Sequence, residues 1–188
     1  MSFFLREPDE DTVQQFLRNE SPSQFSYTAV GATRTDPPKG YTLDHHRIQL
    51  SSGSNAFQKA KLALCRWRQF DLGWISIVPK GAPIKPKTLV AVKAKSFGFW
   101  SLNACRIVYV IDEENRYAFA YGTLTNHAET GEERFSIERL SDDSVWYDVL
   151  AFSRPREIAV RAAAPLARML QKRFAKHSMM KMMSEVVR

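Results

Sequence analysis

From about Thr88 to Phe152, apolar and polar residues alternate with a period of two, and clusters of turn formers interrupt the pattern. Such a pattern predicts one strand after another. Thr88–Lys95 sets Val90, Val92 and Ala94 against Lys93 and Lys95, whereas Trp100–Ile111 is apolar on both faces. Tyr117–Thr125 sets Tyr117, Phe119 and Tyr121 against Ala118, Ala120 and Gly122, so one face admits close packing by another element, such as a helix. Arg134–Arg139 and Val145–Phe152 complete the block, with turns at Asp112–Arg116, Asn126–Gly131 and Ser141–Ser144.

Ahead of this block, Asp9–Asn19 reads as a helix capped by Asp9 or Asp11. Phe25–Ala32 is extended and His46–Leu50 is a strand. Asn55–Phe70 is an amphipathic helix with Phe57, Ala60, Leu64 and Trp67 on one stripe, and Trp74–Val78 is a further strand. At Ser153–Arg154–Pro155 the period changes from two to 3.6. Ser153 suits an N-cap, Pro155 suits the first turn, and Ala159, Ala163, Leu166, Leu170 and Phe174 form one stripe. Pro165 lies within that stripe and predicts a kink. The expected fold is α+β: a curved antiparallel sheet with Ser153–Phe174 as a helix across its concave side, and room for a ligand between them.

The chain has 188 residues, 44% of them hydrophobic and 12% aromatic, which is enough to bury a core in one domain. No run approaches the ~18 apolar residues of a membrane helix. The N-terminus turns acidic after six residues, which does not fit a secretory signal, and the cytoplasm is the expected compartment. Cys65 and Cys105 sit among apolar neighbours and read as buried free thiols. The net charge of +7 is uneven: residues 1–153 carry 18 basic and 18 acidic residues, and residues 154–188 carry nine basic and two acidic. Basic charge confined to one segment makes nucleic acid an unexpected partner. Met169, Met179, Met180, Met182 and Met183 lie in the same segment, which resembles a basic amphipathic surface helix able to touch an anionic membrane. It also fits a solvated helix end.

Six blocks carry a resemblance to a known family: VGAT (Val30–Thr33), GYTLDHHRIQLSSGSNAF (Gly40–Phe57), AKLALCRWRQFDLGW (Ala60–Trp74), CRIVYV (Cys105–Val110), AYGTLTNHAETGEERF (Ala120–Phe135) and AFSRP (Ala151–Pro155). In order and content they resemble the DUF1990 (UPF0548) family of the START/Bet v 1-like (SRPBCC) superfamily. That resemblance implies a helix-grip fold, in which the sheet wraps around a long C-terminal helix. The whole chain, 1–188, is then one such domain, with 1–24 as an N-terminal helical extension and 178–188 as a basic, Met-rich tail that projects from the fold.

His127, Glu129, Glu132 and Glu133 cluster within seven residues, and they fit either a solvated hairpin tip or a metal or acid–base site. Strand alternation places Glu133 with Phe135 and Ile137, and a carboxylate on an apolar face needs a partner. Arg106 is the candidate partner, sharing a strand face with Leu102, Ala104, Val108 and Val110. Trp100, Tyr109, Phe119, Tyr121 and Trp146 join Arg106 and Glu133 as candidates for a cavity wall. His45 and His46 point to opposite faces and cannot share a metal. No phosphate loop, serine elbow or Cys–His pairing occurs, and no cofactor or metal is expected. The leading reading is a protein that binds a hydrophobic or amphipathic small molecule between sheet and helix. An enzyme in the same cavity, using Glu133, Arg106, His127 and Tyr109, and a peripheral protein of an anionic membrane are the alternatives.

Overall fold

A computed structural model describes residues 2–127, 129–155 and 164–187. The alternating segments form β1 (Ser2–Phe4), β2 (Thr42–Ser52), β3 (Ile75–Val78), β4 (Leu89–Ser96), β5 (Phe99–Glu113), β6 (Arg116–Thr123), β7 (Glu129–Arg139) and β8 (Ser144–Pro155). They join in one curved antiparallel sheet of order β2-β8-β7-β6-β5-β4-β3, with β1 added to β5. Register shifts between Gln49 and Ser51 and between Ile107 and Tyr109 interrupt the ladders, and such bulges bend a sheet. The helices are α1 (Glu10–Glu20), α2 (Ser54–Cys65) and α3 (Ala164–Val187).

The sheet is buried on both faces, by different means. On the inner face, α2 and α3 pack Phe57, Ala60, Leu64, Phe174 and Met182 against Phe119, Phe135, Ile137 and Tyr147. The helix expected over Asn55–Phe70 ends earlier, at Cys65. Trp67 adopts a left-handed conformation (φ 59°), and its indole N–H donates to the Ala82 carbonyl at 2.8 Å. A separate turn of 3₁₀ helix, Arg68–Phe70, then sets Phe70 into the core.

On the outer face, α1 is capped by Asp9, whose carboxylate accepts from Thr12 N–H at 2.9 Å. It lays Val13 and Phe16 on Ala91, Leu102, Ala104 and Leu124. The residues after α1 cover the rest. The expectation that something packs closely on Ala118, Ala120 and Gly122 is met by this chain segment rather than by a helix. A Cβ built on Gly122 would lie 2.0 Å from the Tyr27 hydroxyl. The N-terminal extension is therefore part of the fold, through β1 in the sheet and α1 on its outer face.

Two expectations about the C-terminus are corrected. Ser153–Pro155 is not the start of a helix but the end of β8, paired with Gly131 to Glu129 of β7. Ala159 and Ala163 lie outside the described residues, as does the segment that would show a kink at Pro165. Residues 178–187 are not a projecting tail. They continue α3, with Met182 at 0% and Val186 at 6% exposure. The apolar stripe runs on at a spacing of four through Phe174, Ser178, Met182 and Val186, and the Ser178 hydroxyl lies 2.7 Å from the Tyr147 hydroxyl. Glu185 pairs with Arg68 at 3.0 Å and with Lys181 at 3.2 Å. Cys65 and Cys105 are free thiols, and burial raises the pKa of Cys105.

Candidate ligand cavity

Between the inner face and α3 lies a cavity of ≈ 410 Å3. This is within the usual range for small-molecule sites, about 300–1,000 Å3. Its wall is mostly apolar. Phe70, Trp74, Val149, Leu166, Leu170 and Phe174 line it from the core, β8 and α3. Its ionisable groups include Asp44 and His46 from β2, Glu129 and Glu133 from β7, and His127 from the turn before β7, and Ser101, Asn103, Thr123 and Gln171 add uncharged polar groups.

Each polar group has a defined environment. Glu133 accepts from the Tyr121 hydroxyl at 2.6 Å, and its second oxygen has no hydrogen bond among the described residues. Burial pushes its pKa up to about 7; the Tyr121 bond opposes this, and the neighbouring Glu129 and Asp44 reinforce it. Glu129 accepts from the Gln171 side-chain amide at 2.7 Å, and burial raises its pKa too. Arg168 of α3 bonds the Asp44 carboxylate. The Glu129 N–H donates to His127 Nδ1 at 3.0 Å, which leaves the proton of the neutral ring on Nε2. Burial lowers the His127 pKa to about 4, so the ring is neutral at physiological pH. The turn expected at Asn126–Gly131 is shorter than its boundaries suggested, because β7 begins at Glu129 and carries Glu129 into the cavity wall.

The candidate residues divide between the two faces. Tyr121, Glu133, His127 and Glu129 line the cavity. Phe119, expected on the wall, is instead fully buried in the inner core beside them, with its ring centroid 5.4 Å from that of Phe135. Arg106, Tyr109, Trp100 and Trp146 do not contribute to the wall, which corrects their expected placement. Arg106 donates to the Ser23 and Ser21 carbonyls at 2.8 and 2.9 Å, so it holds the end of α1 and does not meet Glu133. Tyr109 lies 2.8 Å from the Thr33 hydroxyl under the Arg34 guanidinium. The charged groups of Lys93 and Lys95 approach the Trp100 ring, and Arg47 stacks on Trp146.

Glu132, although adjacent to the wall, turns its carboxylate to the outer face. There it accepts from the Tyr27 hydroxyl and Gly31 N–H, each at 2.7 Å, from Thr33 N–H at 3.1 Å, and from the Thr33 hydroxyl. Residues of the VGAT block thus wrap one buried carboxylate. Asp44 and His46 are among the cavity residues that the sequence analysis did not single out. The signal was present, since they share strand parity with Ile48 and Leu50, both packed toward the inner core. Among the described residues, no three His, Cys, Asp or Glu side chains converge as a metal site, and no helix is long and apolar enough to cross a membrane.

A family model described as a domain of unknown function, DUF1990, matches residues 26–181. The chain belongs to the DUF1990 family. Relatives of this DUF1990 protein include a UPF0548 protein of Dictyostelium discoideum, 32% identical over 98% of this chain and 95% of the relative. A second, from Deinococcus radiodurans, is 34% identical over 93% of this chain and 94% of the relative. Among solved structures, the DUF1990 chain is similar to the Zhui aromatase/cyclase from Streptomyces sp. R1128 (TM-score 0.57, 10% identity, covering 79% of this chain and 94% of that one). It is also similar to a START superfamily protein from Mycobacterium smegmatis (TM-score 0.53, 13% identity, 78% and 97%). A third likeness is to Ara h 8.0201 (TM-score 0.51, 15% identity, 79% and 99%). At such identities the likeness establishes the START/Bet v 1-like fold alone.

Proposed function

We propose that this DUF1990 protein binds an amphipathic small molecule, with its apolar body against α3 and its polar end at β2 and β7. The observation that carries this reading is the cavity itself: ≈ 410 Å3 of largely apolar wall into which β2 and β7 bring the carboxyl groups of Asp44, Glu129 and Glu133. A well-packed interior leaves few voids larger than a water molecule, and a hollow of this size forfeits dispersion contacts that an apolar occupant restores. Leu170 lines the hollow from α3, so Leu170→Trp fills it. The expected outcome is loss of binding of an apolar fluorescent dye, with thermal stability unchanged or raised. Native mass spectrometry of the purified protein should show co-purified small molecules in the parent and fewer in the variant. Equal dye binding by both proteins would count against the cavity as the site.

Glu133 favours a second reading, acid–base catalysis on the bound molecule. A carboxyl group whose pKa is pushed up to about 7 and which Tyr121 orients can both give and take a proton at neutral pH. Arg106 and Tyr109 take no part in this reading, because they serve the outer face.

A further inference from the structure

The charge and ring content of the polar part of the wall go beyond a preference for amphipathic molecules. Asp44, Glu129 and Glu133 bring three carboxyl groups to it, against which stands the guanidinium of Arg168, which pairs with Asp44, donates to Gln171 at 3.1 Å and opposes the upward shift of Glu129. Arg173 stacks on the Trp74 ring at 4.4 Å and so does not neutralise a cavity carboxylate. The wall also carries His46, Tyr121, Cys105 and His127, whose ring burial keeps neutral, and among the described residues no Lys or Arg lines it. Glu133 is half-buried on the cavity wall, and its second oxygen has no hydrogen-bond partner among the described residues. Aromatic faces adjoin it. The Phe70 ring lies 6.1 Å from Tyr121 and 4.8 Å from Phe174, and all three line the cavity. An enclosed carboxylate beside aromatic faces is the chemistry that holds an ammonium group, by charge-assisted hydrogen bonding and by attraction to the ring quadrupole. An anionic headgroup in the same place would meet like charge in a poorly screened environment.

We infer that the cavity selects an apolar amine, binding its ammonium group between Glu133 and the rings of Tyr121, Phe70 and Phe174. The inference rests on the proposed binding function and specifies its ligand class. Ammonium binding beside Glu133 favours the ionised carboxylate. Near pH 7, where the free protein holds a fraction of a proton on Glu133, binding therefore releases a proton. A carboxylate ligand would instead take a proton up.

Isothermal titration of the full-length protein with decylamine, decanol and decanoate, in two buffers of different ionisation enthalpy, tests this. The expected order is decylamine at least about tenfold tighter than decanol, decanoate weakest, and proton release on amine binding alone. Glu133→Gln should bring decylamine down to the affinity of decanol while decanol still binds, which shows that the cavity is intact. The parent series stands by itself should that variant fail to fold. Decanol or decanoate binding as tightly as decylamine overturns the inference and leaves the binding function standing. Failure of all three ligands to bind counts against both.

Discussion

Glu132 and Glu133 are neighbours on one strand and opposites in every other respect. On the outer face, the buried carboxylate of Glu132 accepts hydrogen bonds from two backbone N–H groups and two hydroxyls. On the inner face, Glu133 accepts one bond from Tyr121 and borders a hollow. Strand alternation explains why adjacent residues point apart. The donors on each side explain what happens next. Where the chain supplies enough donors, a buried carboxylate becomes an anchor, here for the segment after α1. Where it supplies one, burial wins and the group holds its proton to higher pH. Residue type alone thus says little about role, and the count of donors around each carboxylate distinguishes the two.

The contrast between a saturated and an unsaturated face can be broken at three points. The largest effect is expected from removing residues 178–188. The inner face carries a hollow in one region, so it depends on full packing elsewhere, and Met182 and Val186 provide it. Truncation should cost more than about 5 kcal/mol and abolish cooperative unfolding in urea, since several core side chains go at once. A truncated chain with the parent's unfolding curve would mean that the inner face needs no such closure.

Next is Glu132→Ala, which strands the donors of Tyr27, Gly31 and Thr33 in a dry interior. A loss of about 3–5 kcal/mol is expected from the urea midpoint. An unchanged midpoint would remove the distinction between the two glutamates.

The smallest effect belongs to Glu133→Gln, and it depends on pH. The folded chain keeps a proton on Glu133 up to about 7, against an ordinary value of 4.5. The stability this group confers is complete below the lower value and is lost as pH rises through the higher one. Gln keeps an acceptor for Tyr121 and never ionises. The variant should match the parent near about pH 4 and exceed it by about 1–3 kcal/mol above pH 7. His127 slopes the other way. Its pKa falls from 6.5 to about 4, so its contribution is present above 6.5 and is lost as pH drops through about 4. A variant that tracks the parent at all pH values would place the Glu133 side chain in bulk water.

Much of the fold was legible in the sequence because alternation and the 3.6 period mark strands and helices directly. Thus β4, β5, β6 and β8 and the α1 cap at Asp9 are found close to where the pattern puts them. Which face of β5 is inner was not legible. Leu102, Ala104 and Arg106 do share a face, but both faces of this strand are buried, so alternation cannot say which one meets the cavity. The register shift between Ile107 and Tyr109 then carries Val110 to the inner core while Tyr109 faces Thr33, and no pattern of residue types announces a bulge. The end of α3 was hidden differently. Ser178 interrupts the apolar stripe, and only the position of the Tyr147 hydroxyl makes a serine suitable there. Within the site, parity placed Glu133 beside Phe135 and Ile137. The same rule applied to β2 would have added Asp44 and His46.

Gly131 adds a consequence for how the chain reaches its native pairing. A Cβ on this residue would lie 1.9 Å from the Phe152 carbonyl oxygen, so β7 and β8 approach there more closely than any side chain allows. Sliding β7 by one residue would bring Thr130 or Glu132 to that point and exchange the faces of the two glutamates. The close approach is therefore compatible only with the register that sets Gly131 opposite Ser153. A single missing methyl group thus ties this close approach to one register of the strand pair that divides anchor from cavity.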